Sequence, residues 1–237
     1  MASRQEQKEQ RRQERVAREE AERKSAARRK RLQLVFGGLL TVALLGGAVA
    51  VFVFALGGSS EGAGEPTQPS DAAAAVELPP QQTSDLQVAA RTAGCKVTHP
   101  EIGGATHETK EFTAADYQTN PPTSGNHTPD WYEDGIYAPG GVPDLGKLVH
   151  TLEHGRIDVQ YKPGTPEADV AKLEALLAES EQGYHMLLFE NTTGMDAAVA
   201  ATAWGHSVTC PTMSDDVLDV LRTFRASYID KGPEAVP

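Results

Sequence analysis

Cysteine is nearly absent from this chain, with only Cys95 and Cys210 among 237 residues. Neither belongs to a C-x-x-C unit, and they stand 115 positions apart, a poor arrangement for a thiolate metal pair. One disulfide in an oxidising compartment is the better reading. On the chain-entropy model, closing a loop of that size contributes up to about 4 kcal/mol. Charge is missing altogether from Leu34 to Leu56, a run of 23 residues. A buried soluble helix of that length without one charged side chain is a poor explanation. Basic residues are scarce beyond position 31, and histidine does not occur before His99.

The uncharged run would span about 34 Å as a helix at ~1.5 Å per residue, enough to cross a bilayer core. It exceeds the ~7–15 apolar residues of a cleaved signal peptide, and no small-x-small site ends it. Arg28, Arg29, Lys30 and Arg31 abut its N-terminal side, so the positive-inside rule keeps the preceding tail cytoplasmic. The expected plan is a basic cytoplasmic tail (1–33), a single-pass transmembrane helix (34–56), a flexible linker (57–87) and an extracytoplasmic domain (88–237).

The first 31 residues hold 12 Lys and Arg against six Glu, a net +6. That leaves 10 basic and 27 acidic residues for the rest, a net −17 within the total of −11. The tail is rich in helix formers but has no apolar stripe, which suits a marginal or membrane-surface helix drawn to anionic headgroups. The acidic remainder argues against nucleic acid or a lipid-hugging surface as partner. The linker is rich in Gly, Ser, Pro and Ala and buries too little to order itself.

Within the external domain, residues 95–147 are dense in Gly, Pro, Thr, Asn and Asp and read as loops, with one short strand near Glu111–Phe112. Order then rises. Leu145–Leu152 reads as a short helix ended by Gly155, and 156–161 as a strand. A helix opens at Thr165-Pro166 and runs through Ser180. Strands follow at 185–190 and 197–208, and a last amphipathic helix starts at Ser214 or Asp215. The expected fold is α+β: a small, mainly antiparallel sheet with two helices and a long loop-rich N-terminal half.

All seven histidines lie in this domain: His99, His107, His127, His150, His154, His185 and His206. Imidazole is the commonest side-chain metal ligand. If 145–154 is helical, His150 and His154 share a face one turn apart and can chelate one ion. As a strand the same pair would stand about 13 Å apart, too far for one metal. The letters HTLEH match H-x-x-E-H, in which two His bind zinc and the Glu activates water. The enzymes carrying that pattern are much larger, and hydrolysis ranks last. Thr123-Ser124-Gly125-Asn126-His127 spells the letters of the SGNH hydrolases, whose four residues come from separate blocks, so the run is coincidence. Met186 beside His185, with Met195 and Met213 nearby, invites a Cu(I) site, although a Met on an apolar strand is normally core filler. Trp131, Tyr132 and Tyr137 fit a pocket wall and a loop pin equally well.

Longer blocks carry a family resemblance. Tyr117, then Pro121-Pro122-Thr123-Ser124-Gly125-x-His127-x-Pro129, Gly135-x-Tyr137 and Leu148-Val149-His150-x-Leu152-Glu153-His154-Gly155-Arg156 lead into a strand ending at Tyr161. Ala203-Trp204-Gly205 and Pro233-Glu234 follow. Together, over residues 95–235, they resemble the bacterial domain of unknown function 3105. The resemblance implies anchoring by one N-terminal helix, and it brings no activity with it. Its motif positions fall on His107, His127, His150, Glu153 and His154. His99 and His185 look peripheral, and relatives often carry Arg where this chain has His206.

The leading expectation is a membrane-anchored external module whose histidines bind copper or zinc. His127, His150 and His154 are the core ligands, His107 a further one, and Glu153 a fourth ligand or an orienter. The alternative is a non-enzymatic accessory protein of a membrane complex, with the membrane and that complex as partners and the histidines as structural hydrogen-bonders. Neither reading assigns catalytic residues, and no oligomeric state follows.

Overall fold

The computed structural model describes residues 64–142, 144–180 and 183–234. The expected cytoplasmic tail and transmembrane helix lie outside the described residues. Among the described residues no helix is long and apolar enough to cross a membrane.

The chain forms an α+β domain. In order come α1 (Asp71–Ala74), α2 (Leu86–Ala93), β1 (Lys96–Thr98), a 3₁₀ turn (Ala114–Asp116), β2 (Gly135–Ile136) and α3 (Leu145–Glu153). Then follow β3 (Ile157–Tyr161), α4 (Glu167–Ala178), β4 (Met186–Glu190), β5 (Val199–Ala203), β6 (His206–Cys210) and α5 (Asp215–Tyr228). The six strands make one sheet in the order β1-β6-β5-β3-β4-β2.

The sheet is mixed: three of its five pairings are antiparallel, as the expectation of a mainly antiparallel sheet had it, and two are parallel. β1–β6, β6–β5 and β5–β3 pair antiparallel, but β3–β4 and β4–β2 are parallel. The physical reason is α4. A helix between two strands carries the chain back across the sheet, so β4 runs beside β3 in the same direction. The expected third strand over 197–208 is a hairpin, with Trp204-Gly205 turning between Ala203 and its partner His206. Gly205 takes φ +71° there, backbone open to glycine at little cost.

Five α-helices appear among the described residues instead of two. Part of the expected linker is docked. Gly64 N donates to Gly141 O at 2.8 Å, Thr67 bridges to Ile136, and Gln82 N donates to the Asp219 carboxylate at 2.7 Å. α2 crosses the expected boundary at residues 87/88, capped by the Asp85 carboxylate at one end and by Gly94 at φ +68° at the other. No strand forms at Glu111–Phe112.

Strand alternation sends side chains to two cores. On one face Ile157, Val159, Met186, Leu188, Val199 and Val208 meet Leu173, Leu176 and Leu177 of α4 and Val217, Leu221 and Phe224 of α5. On the other, Leu187 and Phe189 meet Leu145 and Leu148 of α3, with Tyr132, Tyr137 and Val142. Tyr132 and Tyr137 therefore pin the loop-rich half to the sheet. Cys95 and Cys210 form a disulfide, as the sequence suggested, tying the chain after α2 to the end of β6.

Candidate metal centre

α3 organises the site. Asp144 caps it by accepting from Lys147 N, and its apolar residues Leu145 and Leu148 anchor it to the sheet. That fixes where His150 and Glu153 stand. Gly146 sets how near the preceding loop comes. A Cβ there would meet Thr128 Cγ2 at 2.9 Å, Thr128 N at 3.0 Å and Phe112 Cδ2 at 2.7 Å. The absent side chain lets the backbone beside His127 lie against the helix.

His127 in turn brings His107. The two pair as an isolated parallel bridge, with His127 N donating to Thr106 O at 3.1 Å and Glu108 N donating to His127 O at 2.8 Å. The outcome is a cluster drawn from three separate stretches of chain. One ligand atom each from His107, His127, His150 and Glu153 lies within 4.8 Å of all the others. The three ring centroids are 4.6–4.8 Å apart. Glu153 Oε2 is 2.9 Å from His127 Nε2 and 3.3 Å from His107 Nε2. Donors at ~2.0–2.1 Å around a tetrahedral ion would stand about 3.3 Å apart, so the spacing fits the group.

His127 and His150 hold the tautomers a metal needs, whereas His107 Nε2 is hydrogen-bonded to Glu153 Oε2 at 3.3 Å and would pass its proton to Nδ1 on binding. His127 Nδ1 donates to Gly125 O at 2.8 Å, and His150 Nδ1 donates to Asp130 O at 3.2 Å. With those protons committed, each Nε2 carries a free lone pair, as metal-bound histidines require. His127 Nε2 is wholly buried and has no hydrogen-bond partner. Its 2.9 Å approach to Glu153 Oε2 lacks hydrogen-bond alignment. Burial lowers the pKa of His150, and His127 and His107 lower it further. It is therefore neutral at pH 7.

His154 departs from expectation. It is the C-cap of α3, one turn past His150, with ring centroids 4.4 Å apart. Its partners are different: one ligand atom each from His150, His154 and Glu234 forms a second set within 4.8 Å. Because the helix ends at Glu153, His154 turns to the C-terminal segment while Glu153 faces His127. His107 therefore occupies the place the sequence reading gave to His154. Burial, with His150 and Arg156 nearby, holds the His154 pKa down at about 4. Trp131 sits edge-on to His154 and His150, at 4.7 and 5.6 Å, and is partly exposed.

The remaining histidines lie elsewhere. His99 and His206 face each other through Nδ1 at 2.7 Å, with Tyr228 stacked on His206. His185 pairs with Asp230 at 2.6 Å beneath Tyr184. Met186 belongs to the main core, Met195 is buried, and Met213 packs on the main core.

A family model described as "Protein of unknown function (DUF3105)" matches residues 108–236. The chain belongs to this family. No curated protein and no solved structure matches it significantly. The DUF3105 segment holds His127, His150, Glu153, His154 and Glu234, and begins one residue after His107. Glu234 carried only family resemblance at the level of sequence, and Gly146, Asp130 and Gly125 carried no signal. Their parts depend on a backbone carbonyl or a close approach that only the fold creates.

Proposed function

We propose that this DUF3105 protein is a membrane-anchored extracytoplasmic module that binds one transition-metal ion through His107, His127, His150 and Glu153. The observation that carries the reading is the wholly buried His127 Nε2, unpartnered and 2.9 Å from a buried carboxylate oxygen. A lone pair left unmatched in that position costs about 1–3 kcal/mol, and a bound cation removes the cost. Three imidazoles and one carboxylate suit Zn²⁺ or Cu²⁺.

The anchor is residues 34–56, with the tail 1–33 cytoplasmic. Supporting it are the uncharged run, the flanking cluster Arg28–Arg31, and a disulfide in the domain beyond. The H-x-x-E-H hydrolase reading is weakened because Glu153 lies among the ligand atoms and His154 lies in a different set. In the accessory-protein reading the histidines are only hydrogen-bonders, and it supplies no donor for an unprotonated His127 Nε2.

Full-length protein in mild detergent, stripped with EDTA and titrated with Zn²⁺ or Cu²⁺ by calorimetry, should take up one equivalent tightly. Uptake should be lost in a His127→Ala, His150→Ala double variant that keeps its circular dichroism. Absence of tight uptake of either metal by the wild type would sink the proposal.

A further inference from the structure

The second histidine set is not absorbed by that site. His150 belongs to both sets, and its Nδ1 proton is committed to Asp130 O. Only Nε2 remains as a ligand atom, and one lone pair serves one ion at a time. His154 Nδ1 is buried without a partner, and His154 Nε2 stands 3.6 Å from Glu234 Oε2. The Glu234 side chain is 47% exposed, against 5% for Glu153. Its place is set by the backbone: Asp230 N donates to Gly155 O at 2.9 Å, and Glu234 N donates to Glu153 O at 3.1 Å. Gly232 lies so close to Glu153 O and Gly155 N that a side chain there has no room. The C-terminal segment is thus strapped across the end of α3 with one carboxylate on His154.

We infer that His150, His154 and Glu234 form an outer metal position from which an ion passes to the inner site by exchange of ligands around His150. The inference rests on the metal-binding reading above. His150 Nε2 stays bound throughout, while His154 and Glu234 leave and His107, His127 and Glu153 replace them. One carboxylate is traded for another, so the charge of the ligand set is the same before and after, and the one proton that moves is that of His107, which passes from the Nε2 facing Glu153 to the exposed side of the ring. The inner position gains an imidazole and is more deeply buried, which sets the direction.

The experiment uses full-length protein in detergent with Cu²⁺, counting bound imidazoles by pulsed electron paramagnetic resonance. Wild type should bind one Cu²⁺ with three imidazoles. His127→Asn should bind one Cu²⁺ with two imidazoles, weaker by on the order of 10–100-fold, and adding Glu234→Gln should weaken it about tenfold more. Two equivalents in wild type would overturn the exchange around a shared His150, and no binding by a folded His127→Asn protein would overturn the outer position; either result leaves the inner site standing. No uptake by wild type would remove both. Because His127 is wholly buried, Glu234→Gln alone supplies an independent test. Zn²⁺ uptake from a chromophoric chelator in stopped flow should slow at least about fivefold. Uptake at the wild-type rate would mean that ions arrive directly past the exposed edge of His107, and the inference would fall.

Discussion

Glu153→Gln should move metal affinity and metal-free stability in opposite directions. In the wild type the Glu153 carboxylate, 5% exposed, faces the His127 Nε2 lone pair at 2.9 Å, and the His127 ring proton is committed to Gly125 O. A glutamine keeps the shape, removes the charge and turns an N–H₂ donor toward that lone pair, while the partly exposed His107 exchanges its bond to Oε2 for water. Satisfying a buried acceptor is worth about 1–2 kcal/mol. For a domain of this size, that raises Tm by about 3–6 °C. The same change deletes the one anionic ligand of the set and should weaken Zn²⁺ or Cu²⁺ binding by on the order of 100-fold or more. Thermal unfolding in EDTA and calorimetric titration measure the two halves separately. If Glu153 instead anchors a protonated His127 as a structural ion pair, its removal strands a buried charge and costs several kcal/mol. A Tm lowered in EDTA by Glu153→Gln would therefore refute the unpaired lone pair on which the metal assignment depends.

Gly146→Ala should weaken metal binding about tenfold or more while leaving Glu153 and His150 intact, because a Cβ 2.9 Å from Thr128 pushes the His127 loop off α3. An unchanged titration isotherm for that variant would mean the close approach does not position His127. For pH, His154 is held down at about 4, against about 6.5 in the unfolded chain. Above pH 6.5 the group is neutral in both states and contributes nothing to the slope. As pH falls from 6.5 toward 4 the unfolded chain takes up a proton that the folded domain refuses, so stability drops. Urea unfolding in EDTA should show a steeper decline over that window in wild type than in His154→Asn, by on the order of 1–3 kcal/mol in total. Parallel declines would remove the assignment.

Much of the second half of the fold was legible because its signals are local. The period of α5, the alternation of β3, the apolar run of β4 and the Gly155 stop after α3 are written in contiguous residues. What was missed depends on distance in sequence. α2 straddles the assumed linker edge, and its burial of Leu86 and Ala89 needs α5, which lies far along the chain. The parallel pairing of β3 with β4 was implied by the helix between them, but the expectation of a mainly antiparallel sheet did not single it out. At the site, the spacing of His150 and His154 on a helix pointed to one shared ion. The helix ends between them, so Glu153 faces His127 while His154 faces Glu234. His107 joins through a single backbone bridge that leaves no trace in composition or period.

That bridge has a further consequence. Residues 99–134 contain little regular structure, and the stretch around His107 meets α3 through the ligand cluster. Its local opening free energy would then track occupancy of the cluster, as in a latch closed by its own cargo. Backbone amides such as Glu108 N–H and His127 N–H, bonded to His127 O and Thr106 O, would exchange with solvent deuterium at rates set by how much ion is bound. The loop would then report loading to whatever touches it from outside, without any rearrangement of the sheet beneath.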